Sequence, residues 1–246
     1  MKIQGLQKMT LLDFPEHVAC TVFLGGCDFR CPFCHNYELV ERPSLSYPDD
    51  PMRDKDLDSG LEGITQEQFM DFLTKRRGLL DGVAITGGEP CLRKDLPEFI
   101  ATIRDAGFLV KLDTNGNHPD MLGNLLRQNL VNFVSMDIKN SPEKYAETAG
   151  LMAIDIDPIK ESISLLINGD IPYEFRTTVM SKFHEDRDFH EIGKLIKGAK
   201  KYFIQPFIDR DTVPDHSLEA PPLEDMRRFR DIASEYVEFV GLRGID

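Results

Sequence analysis

The chain has 246 residues, of which 41% are hydrophobic and 29% charged, and this composition is typical of a globular protein rather than a disordered one. The net charge of -13 repels phosphate backbones, so we expect no nucleic-acid partner. The N-terminus lacks a signal-peptide pattern, and no apolar run approaches the length of a membrane span. We therefore expect a cytoplasmic protein that does not bind membranes.

Short apolar runs alternate along the chain with segments of helical period. In chain order they predict strand 18–25, helix 65–77, strand 82–86, helix 92–105, strand 108–114, helix 120–129, strand 131–138, helix 157–168, strand 173–180, helix 185–198 and strand 201–207. A helix at 223–236 and a short strand at 237–242 follow. Six β/α units without a glycine fingerprint after the first strand favour an α/β fold of the open, partial (β/α)6 type, similar to a TIM barrel, over a doubly wound sheet.

Several predicted helices have recognisable ends. Thr65 and Gln68 have the spacing of a capping box, and Gly107 stands where a helix should stop. A shorter helix is expected to begin at Pro142 and to end at Gly150. We expect one domain over 1–246, with a core at about 16–208, an insertion loop at 41–63 rich in proline and acid, and a C-terminal extension at 209–246.

Three of the five cysteines, Cys27, Cys31 and Cys34, fall in one loop directly after the first strand. In a β/α barrel the carboxyl ends of the strands carry the chemistry, because the loops converge there. Three thiolates can hold a [4Fe-4S] cluster while one iron stays free to bind another molecule. This spacing therefore predicts an open iron–sulfur cluster at the C-terminal mouth of the barrel.

Structural zinc is the alternative for this loop, because zinc is usually held by four ligands. Cys20, Cys91 or His35 could supply the fourth ligand. Otherwise we interpret Cys20 as a buried structural thiol and Cys91 as a residue without a role. The histidines beyond the cysteine loop are expected at the surface; they are His17, His118, His184, His190 and His216.

The cysteine loop resembles the CxxxCxxC signature of radical S-adenosylmethionine (SAM) enzymes, with Phe33 as the aromatic residue before the third cysteine. Residues 87–90 follow the second strand and are similar to the GGEP motif of that family. The resemblance implies that Gly87, Gly88, Glu89 and Pro90 bind the amino group of the cofactor's methionine part. It also implies one [4Fe-4S] cluster held by the three cysteines.

Within that family the chain resembles the activating enzymes of glycyl radical enzymes. Residues 113–116 match their DTNG segment, and residues 136–139 match their DxK segment. The resemblance implies that Asp137 and Lys139 contact the cofactor's ribose and carboxylate, with Asp113 and Thr114 beside them around a monovalent cation near Asp113 and Asp137. Arg176 matches an arginine near the cofactor, although an arginine on a strand also serves as an ion-pair partner.

The opening of the chain is most similar to anaerobic ribonucleoside-triphosphate reductase activating proteins, and the resemblance covers residues 3–207. It departs from the formate-lyase type at Gln205, near which that type has a histidine close to the adenine. The implied function is to cleave SAM reductively and to generate a glycyl radical on a partner enzyme. The implied electron donor is a flavodoxin or ferredoxin.

Two alternatives stay open from the sequence. The first is a radical SAM enzyme that acts on a small molecule, as deazaguanine-forming members do. The second is a zinc-stabilised binding module without catalytic activity. Iron with acid-labile sulfide would support either radical enzyme, and zinc without sulfide would support the binding module.

Overall fold

A computed structural model describes residues 1–40 and 63–245. The expected insertion at 41–63 lies outside the described residues except for Gly63. None of the helices in the described ranges combines the length and the apolar character needed to cross a bilayer.

The main sheet has eight strands in the order β10-β9-β8-β7-β6-β5-β3-β2. They are β2 (Gly5–Thr10), β3 (Ala19–Leu24), β5 (Gly82–Gly87), β6 (Leu109–Thr114), β7 (Phe133–Asp137), β8 (Tyr173–Val179), β9 (Tyr202–Pro206) and β10 (Val240–Leu242). The two remaining strands of the described part of the chain, β1 (Lys2–Ile3) and β4 (Ile64–Thr65), form a separate antiparallel pair. From β3 to β9 every neighbouring pair is parallel. These six strands correspond to the six strands that the sequence predicts, and their parallel pairing confirms the α/β class.

Two further strands stand at the edges of the sheet. β10 pairs in parallel with β9, and β2 pairs antiparallel with β3. The sequence predicts β10, although it begins at Val240 rather than at residue 237, but it does not predict β2. The exposed residues in the middle of β2 carry no strand signal, so pairing with β3 determines its conformation.

Seven α-helices connect and cover the strands in the described ranges: α1 (Gln66–Thr74), α2 (Leu96–Asp105), α3 (Pro119–Arg127), α4 (Tyr145–Thr148), α5 (Asp157–Ile167), α6 (Asp186–Leu195) and α7 (Leu223–Ala233). The predicted capping box is confirmed, since the Thr65 hydroxyl accepts from the Gln68 backbone at 3.2 Å and the Thr65 backbone donates to the Gln68 side chain at 2.9 Å. The expected start of the short helix at Pro142 is wrong. Residues 142–144 form turns, and α4 begins only at Tyr145.

The core surrounds the parallel strands, which are buried on both faces as parallel strands usually are. Charged side chains are buried with it, and each has a partner. Glu174 of β8 accepts two hydrogen bonds from Arg243, at 2.8 and 2.7 Å, and a third from Ser135 at 2.9 Å. Burial alone would raise the pKa of Glu174, but the hydrogen bonds and charge of Arg243 hold it below its ordinary value.

Candidate active site

Loops at the carboxyl ends of the parallel strands surround one cavity of about 230 Å³. Every predicted site residue lines it except Pro90, which lies buried in a 3₁₀ turn at Pro90–Leu92. The structure therefore brings together the four motifs that the sequence places after β3, β5, β6 and β7. The cavity also has lining residues that were not predicted to bind a cofactor; they are Phe29, His35, Asn36, Val40, Thr86, Asn115, Thr178 and Gln205.

The cysteine loop is fixed by both backbone and side-chain contacts, and the Arg30 guanidinium donates to the Cys27 carbonyl at 2.6 Å and to the Phe29 carbonyl at 2.8 Å. Gly26 donates to the Leu39 carbonyl at 2.8 Å, and Arg30 donates to the Ala149 carbonyl at 2.8 Å. Gly150 follows α4 with a φ of 70°, and a Cβ at this position would lie 1.9 Å from the Arg30 carbonyl oxygen. Only glycine permits this close approach, so the predicted helix terminator also shapes the cysteine loop.

The glycine pair at the end of β5, Gly87 and Gly88, likewise permits close approach on the other side of the cysteine loop. A Cβ on Gly88 would lie 2.0 Å from the Gly26 carbonyl oxygen, so no side chain fits between the two segments. Gly88 donates to the Leu24 carbonyl at 2.8 Å, and Glu89 donates to the Gly26 carbonyl at 2.7 Å. The GGEP segment is thus joined directly to the cysteine loop.

The carboxylate of Glu89 lies inside the protein, with 1% of the residue exposed. It accepts hydrogen bonds from the Cys91 backbone at 2.9 Å, the Thr114 hydroxyl at 2.8 Å and the Asn115 backbone at 2.6 Å. Burial raises its pKa above the ordinary value despite these donors. Glu89 therefore links the GGEP and DTNG segments, and its contact with a cofactor ammonium stays a prediction.

Alternating charges line the cavity on β6, β7 and β8. Arg176 contacts Asp137 at 3.0 Å and Asp113 at 3.5 Å, and Lys139 contacts Asp137 at 3.0 Å. The buried Lys111 also pairs with Asp113. Protein cations thus already neutralise both carboxylates near which a monovalent cation was expected, and that cation stays a prediction.

These contacts set the protonation states in the cavity. Burial would raise the pKa of Asp137, but the charges of Lys139 and Arg176 lower it to about 2. Burial would likewise lower the pKa of Lys139 and of Arg176, yet the neighbouring carboxylates raise both well above their ordinary values. The cavity therefore presents fixed charges of both signs at neutral pH.

The three thiols of the loop are protonated in the absence of a metal. Burial raises the pKa of Cys27 to about 12 and that of Cys31 to about 11, and it raises the pKa of Cys34 as well. A metal ion or cluster binds thiolates, so its binding releases these protons. Three thiols lining one cavity, joined to no other cysteine, fit a cluster held on one side only.

The remaining cysteines differ in their positions. Cys20 is completely buried on β3, as expected for a structural thiol, and burial raises its pKa to about 12. Cys91 is 4% exposed and donates its backbone N–H to Glu89, but it does not line the cavity.

Residues 208–215, which follow β9, form hydrogen bonds with the cysteine loop. The ring Nε2 of His35 lies 2.7 Å from the Ile208 carbonyl oxygen, and the Thr212 hydroxyl donates to the His35 carbonyl at 2.7 Å. Asp215 donates its backbone N–H to the Pro32 carbonyl at 3.1 Å. These contacts hold Pro32 and His35 of the cysteine loop in place.

Four of the five histidines that the sequence places at the surface are partly or fully buried, and His184 and His118 make specific contacts. His184 is 5% exposed, and its Nε2 lies 3.0 Å from the Lys139 carbonyl oxygen. Burial lowers the pKa of His184 to about 4, so the ring is neutral and Nε2 carries the donated proton. His118 is partly buried with its Nε2 3.1 Å from Asp28. Only tertiary contacts reveal these positions.

Comparison with known proteins agrees with this site. The model of the radical SAM superfamily matches residues 21–196. A Methanocaldococcus jannaschii protein assigned by name to the glycyl-radical enzyme activating enzymes is 30% identical over 254 residues, covering 99% of this chain and 96% of that protein. The pyruvate formate-lyase-activating enzyme of Listeria monocytogenes is 26% identical over 221 residues, covering 84% of this chain and 81% of the relative.

A solved structure has the same fold. QueE of Escherichia coli superimposes with a TM-score of 0.54 at 17% sequence identity, over 98% of this chain and 93% of that chain. The match confirms the mostly parallel α/β architecture of a partial TIM barrel. The family uses a [4Fe-4S] cluster and SAM, which decides against the zinc-stabilised binding module. The chain belongs to the radical SAM superfamily and is a radical SAM enzyme of the glycyl-radical enzyme activating family.

Proposed function

We propose that the chain generates a glycyl radical on a partner enzyme, an anaerobic ribonucleoside-triphosphate reductase. The observation that carries the activating function is the match to a relative of that name over almost the full length of both chains. The opening sequence, which is similar to reductase activating proteins, supports the choice of partner. We also propose a flavodoxin or ferredoxin as electron donor and a cytoplasmic location.

In this proposal Cys27, Cys31 and Cys34 hold the cluster as thiolates. They come from one loop whose backbone is fixed from several sides, so little ordering is needed when the cluster binds. The buried thiols have high pKa values, which implies that cluster assembly is easier at higher pH because three protons must leave.

Around the cluster loop, Asp137, Lys139 and Arg176 bind the polar parts of SAM. A cluster bound there would supply the single electron for the reductive cleavage of SAM, and through it the removal of hydrogen from a glycine of the partner. Lys139 and Arg176 provide positive charge for a carboxylate, and Asp137 provides an acceptor for hydroxyl groups. Their mutual ion pairs hold these side chains in place before the cofactor binds.

Other residues of the cavity shape it. Gly87 and Gly88 leave room for the close approach of the Leu24 and Gly26 backbones. Glu89 holds the DTNG segment against the GGEP segment through its hydrogen bonds. Phe33 lines the cavity with its ring 5.8 Å from the Lys139 ammonium and contributes apolar surface to the cavity wall. Apolar walls of this kind exclude water from a radical reaction.

The proposal is tested with anaerobically reconstituted, dithionite-reduced protein. We expect an electron paramagnetic resonance (EPR) signal of [4Fe-4S]⁺ that shifts on addition of SAM, formation of 5'-deoxyadenosine, and a glycyl radical signal when the purified reductase is added. Cys31→Ala should abolish all three signals. Cys20→Ala is the matched control, because Cys20 is also buried but lies on β3 outside the cavity.

The outcomes separate the hypotheses. Deoxyadenosine without a radical on the reductase would contradict this choice of partner, and deoxyadenosine formed only with a small molecule would favour the small-molecule alternative. No shift of the cluster signal on SAM addition would contradict the assigned cofactor site.

A further inference from the structure

Three motif loops meet at Asn115, the third residue of the DTNG segment. Its backbone N–H donates to Glu89 at 2.6 Å, and its side-chain amide donates to Asp28 at 2.8 Å. Asn115 is 6% exposed, so these contacts are made away from bulk water. The residue is thereby held by the GGEP segment on one side and by the cysteine loop on the other.

Asp28, which lies between Cys27 and Phe29, makes further contacts with the same loop. Its second carboxylate oxygen accepts from the Asn117 side-chain amide at 2.6 Å and lies 3.1 Å from Nε2 of His118. One carboxylate therefore contacts three side chains from residues 115–118. Hydrogen bonds to a charged acceptor are stronger than those between neutral groups, so this is a firm connection.

The connected loop directly continues a wall of the cavity. Asp113 and Thr114 line it immediately before Asn115, and Asp113 contacts Arg176. Affinity for a ligand depends on holding such groups to within a fraction of an ångström. If Asp28 were absent, residues 115–118 would keep the hydrogen bond from Asn115 to Glu89 and the one from the Ser162 hydroxyl to the Gly116 carbonyl, but they would lose their direct connection to the cysteine loop.

We propose that Asp28 is a positioning residue that holds residues 113–118 against the cysteine loop in the arrangement that binds SAM. This inference rests on the cofactor site of the proposed function and not on the identity of the partner enzyme. Asp28 touches neither reacting atoms nor the cofactor in this role. Its effect is on the affinity for SAM rather than on retention of the cluster.

The test compares Asp28→Ala, Asp28→Asn, Asn117→Ala and the Asp28→Ala/Asn117→Ala double variant as reconstituted full-length proteins. The control is Asp209→Ala, which removes an aspartate that pairs with His216 at 2.8 Å outside the cavity. The measurements are iron and sulfide per chain, the SAM concentration that half-saturates the EPR shift, the rate of 5'-deoxyadenosine formation at saturating SAM, and hydrogen exchange of residues 113–118 before SAM is added.

We expect Asp28→Ala to raise the half-saturating SAM concentration about tenfold, which corresponds to about 1.4 kcal/mol. Iron and sulfide content and the rate at saturating SAM should stay those of the wild type, and residues 113–118 should exchange faster. Asp28→Asn should have a smaller effect, because an amide keeps one acceptor oxygen. As a single variant, Asn117→Ala should also weaken SAM binding. In the double variant it should add nothing to the loss of affinity caused by Asp28→Ala, since the two residues share one interaction.

Each contrary outcome refutes the proposal. Unchanged SAM dependence and exchange in Asp28→Ala would show that the connection does not position the loop, and an equal shift in Asp209→Ala would show that the effect is not specific. Loss of iron from both Asp28→Ala and Asn117→Ala would assign the connection to cluster retention instead. Absence of the SAM-dependent shift in the wild type contradicts the cofactor site itself, which distinguishes the two failures.

Discussion

Gly150→Ala should lower the free energy of unfolding and displace the cysteine loop, although residue 150 is far in sequence from the cysteines. A non-glycine residue at a φ of 70° costs about 1–2 kcal/mol in backbone strain. The new Cβ would also lie 1.9 Å from the Arg30 carbonyl oxygen, so the segments must separate and the hydrogen bond from Arg30 to Ala149 is lost. That bond contributes about 1 kcal/mol, and the expected total loss is about 2–3 kcal/mol.

The matched control is Gly198→Ala. Gly198 has a φ of 85°, but a Cβ there would meet no atom within 4 Å, so only the backbone strain of about 1–2 kcal/mol applies. The free energy of unfolding of the metal-free proteins is measured by denaturant titration, and iron and sulfide are measured after reconstitution. Equal destabilisation of the two variants, with equal iron content, would refute the inferred contact between Gly150 and the cysteine loop.

Three further predictions concern buried groups. Arg243→Ala leaves the Glu174 carboxylate without its paired cation and should lower the free energy of unfolding by about 2 kcal/mol, measured by denaturant titration. Folding lowers the pKa of Glu174, so this difference from the wild type should be present above about pH 4.5 and shrink as the pH falls further. The buried, neutral His184 gains a proton on unfolding between pH 6.5 and about 4, so it lowers the stability of the wild type as the pH falls, by on the order of 3 kcal/mol. His184→Gln should therefore flatten the curve of unfolding free energy against pH in this range. Parallel curves for the two proteins would contradict the lowered pKa of His184. Cys20→Ala and Cys91→Ala should keep the iron content of the wild type after reconstitution, and loss of iron from either would show that it is a cluster ligand.

The sequence predicts the parallel strands well because both faces of each are buried, which produces short continuous apolar runs. β2 escapes prediction, since its middle residues are exposed and only pairing with β3 makes it a strand. The helix after β7 begins later than Pro142 suggests, because proline permits a helix start without requiring one.

The candidate site was predictable where strand ends and motifs coincide. The motifs after β3, β5, β6 and β7 line one cavity because parallel strands end at one edge. The contacts of Asp28 with residues 115–118 and the burial of His184 were not predictable, since they depend on which loops meet. Pro90 was predicted by its motif alone, and the structure places it behind the cavity wall.

The backbone hydrogen bonds that fix the cysteine loop have a consequence for sequence variation. Several of the groups that hold it belong to the main chain, including the donors of Gly26, Arg30, Glu89 and Asp215. Main-chain groups are the same in every residue except proline, which lacks the N–H. At position 30 the guanidinium also donates to the Cys27 and Phe29 carbonyls, so this side chain holds the loop as well. Relatives can exchange the side chain at a position such as 215 and still build the same loop. Proline there, or a larger residue in place of Gly88, would prevent it.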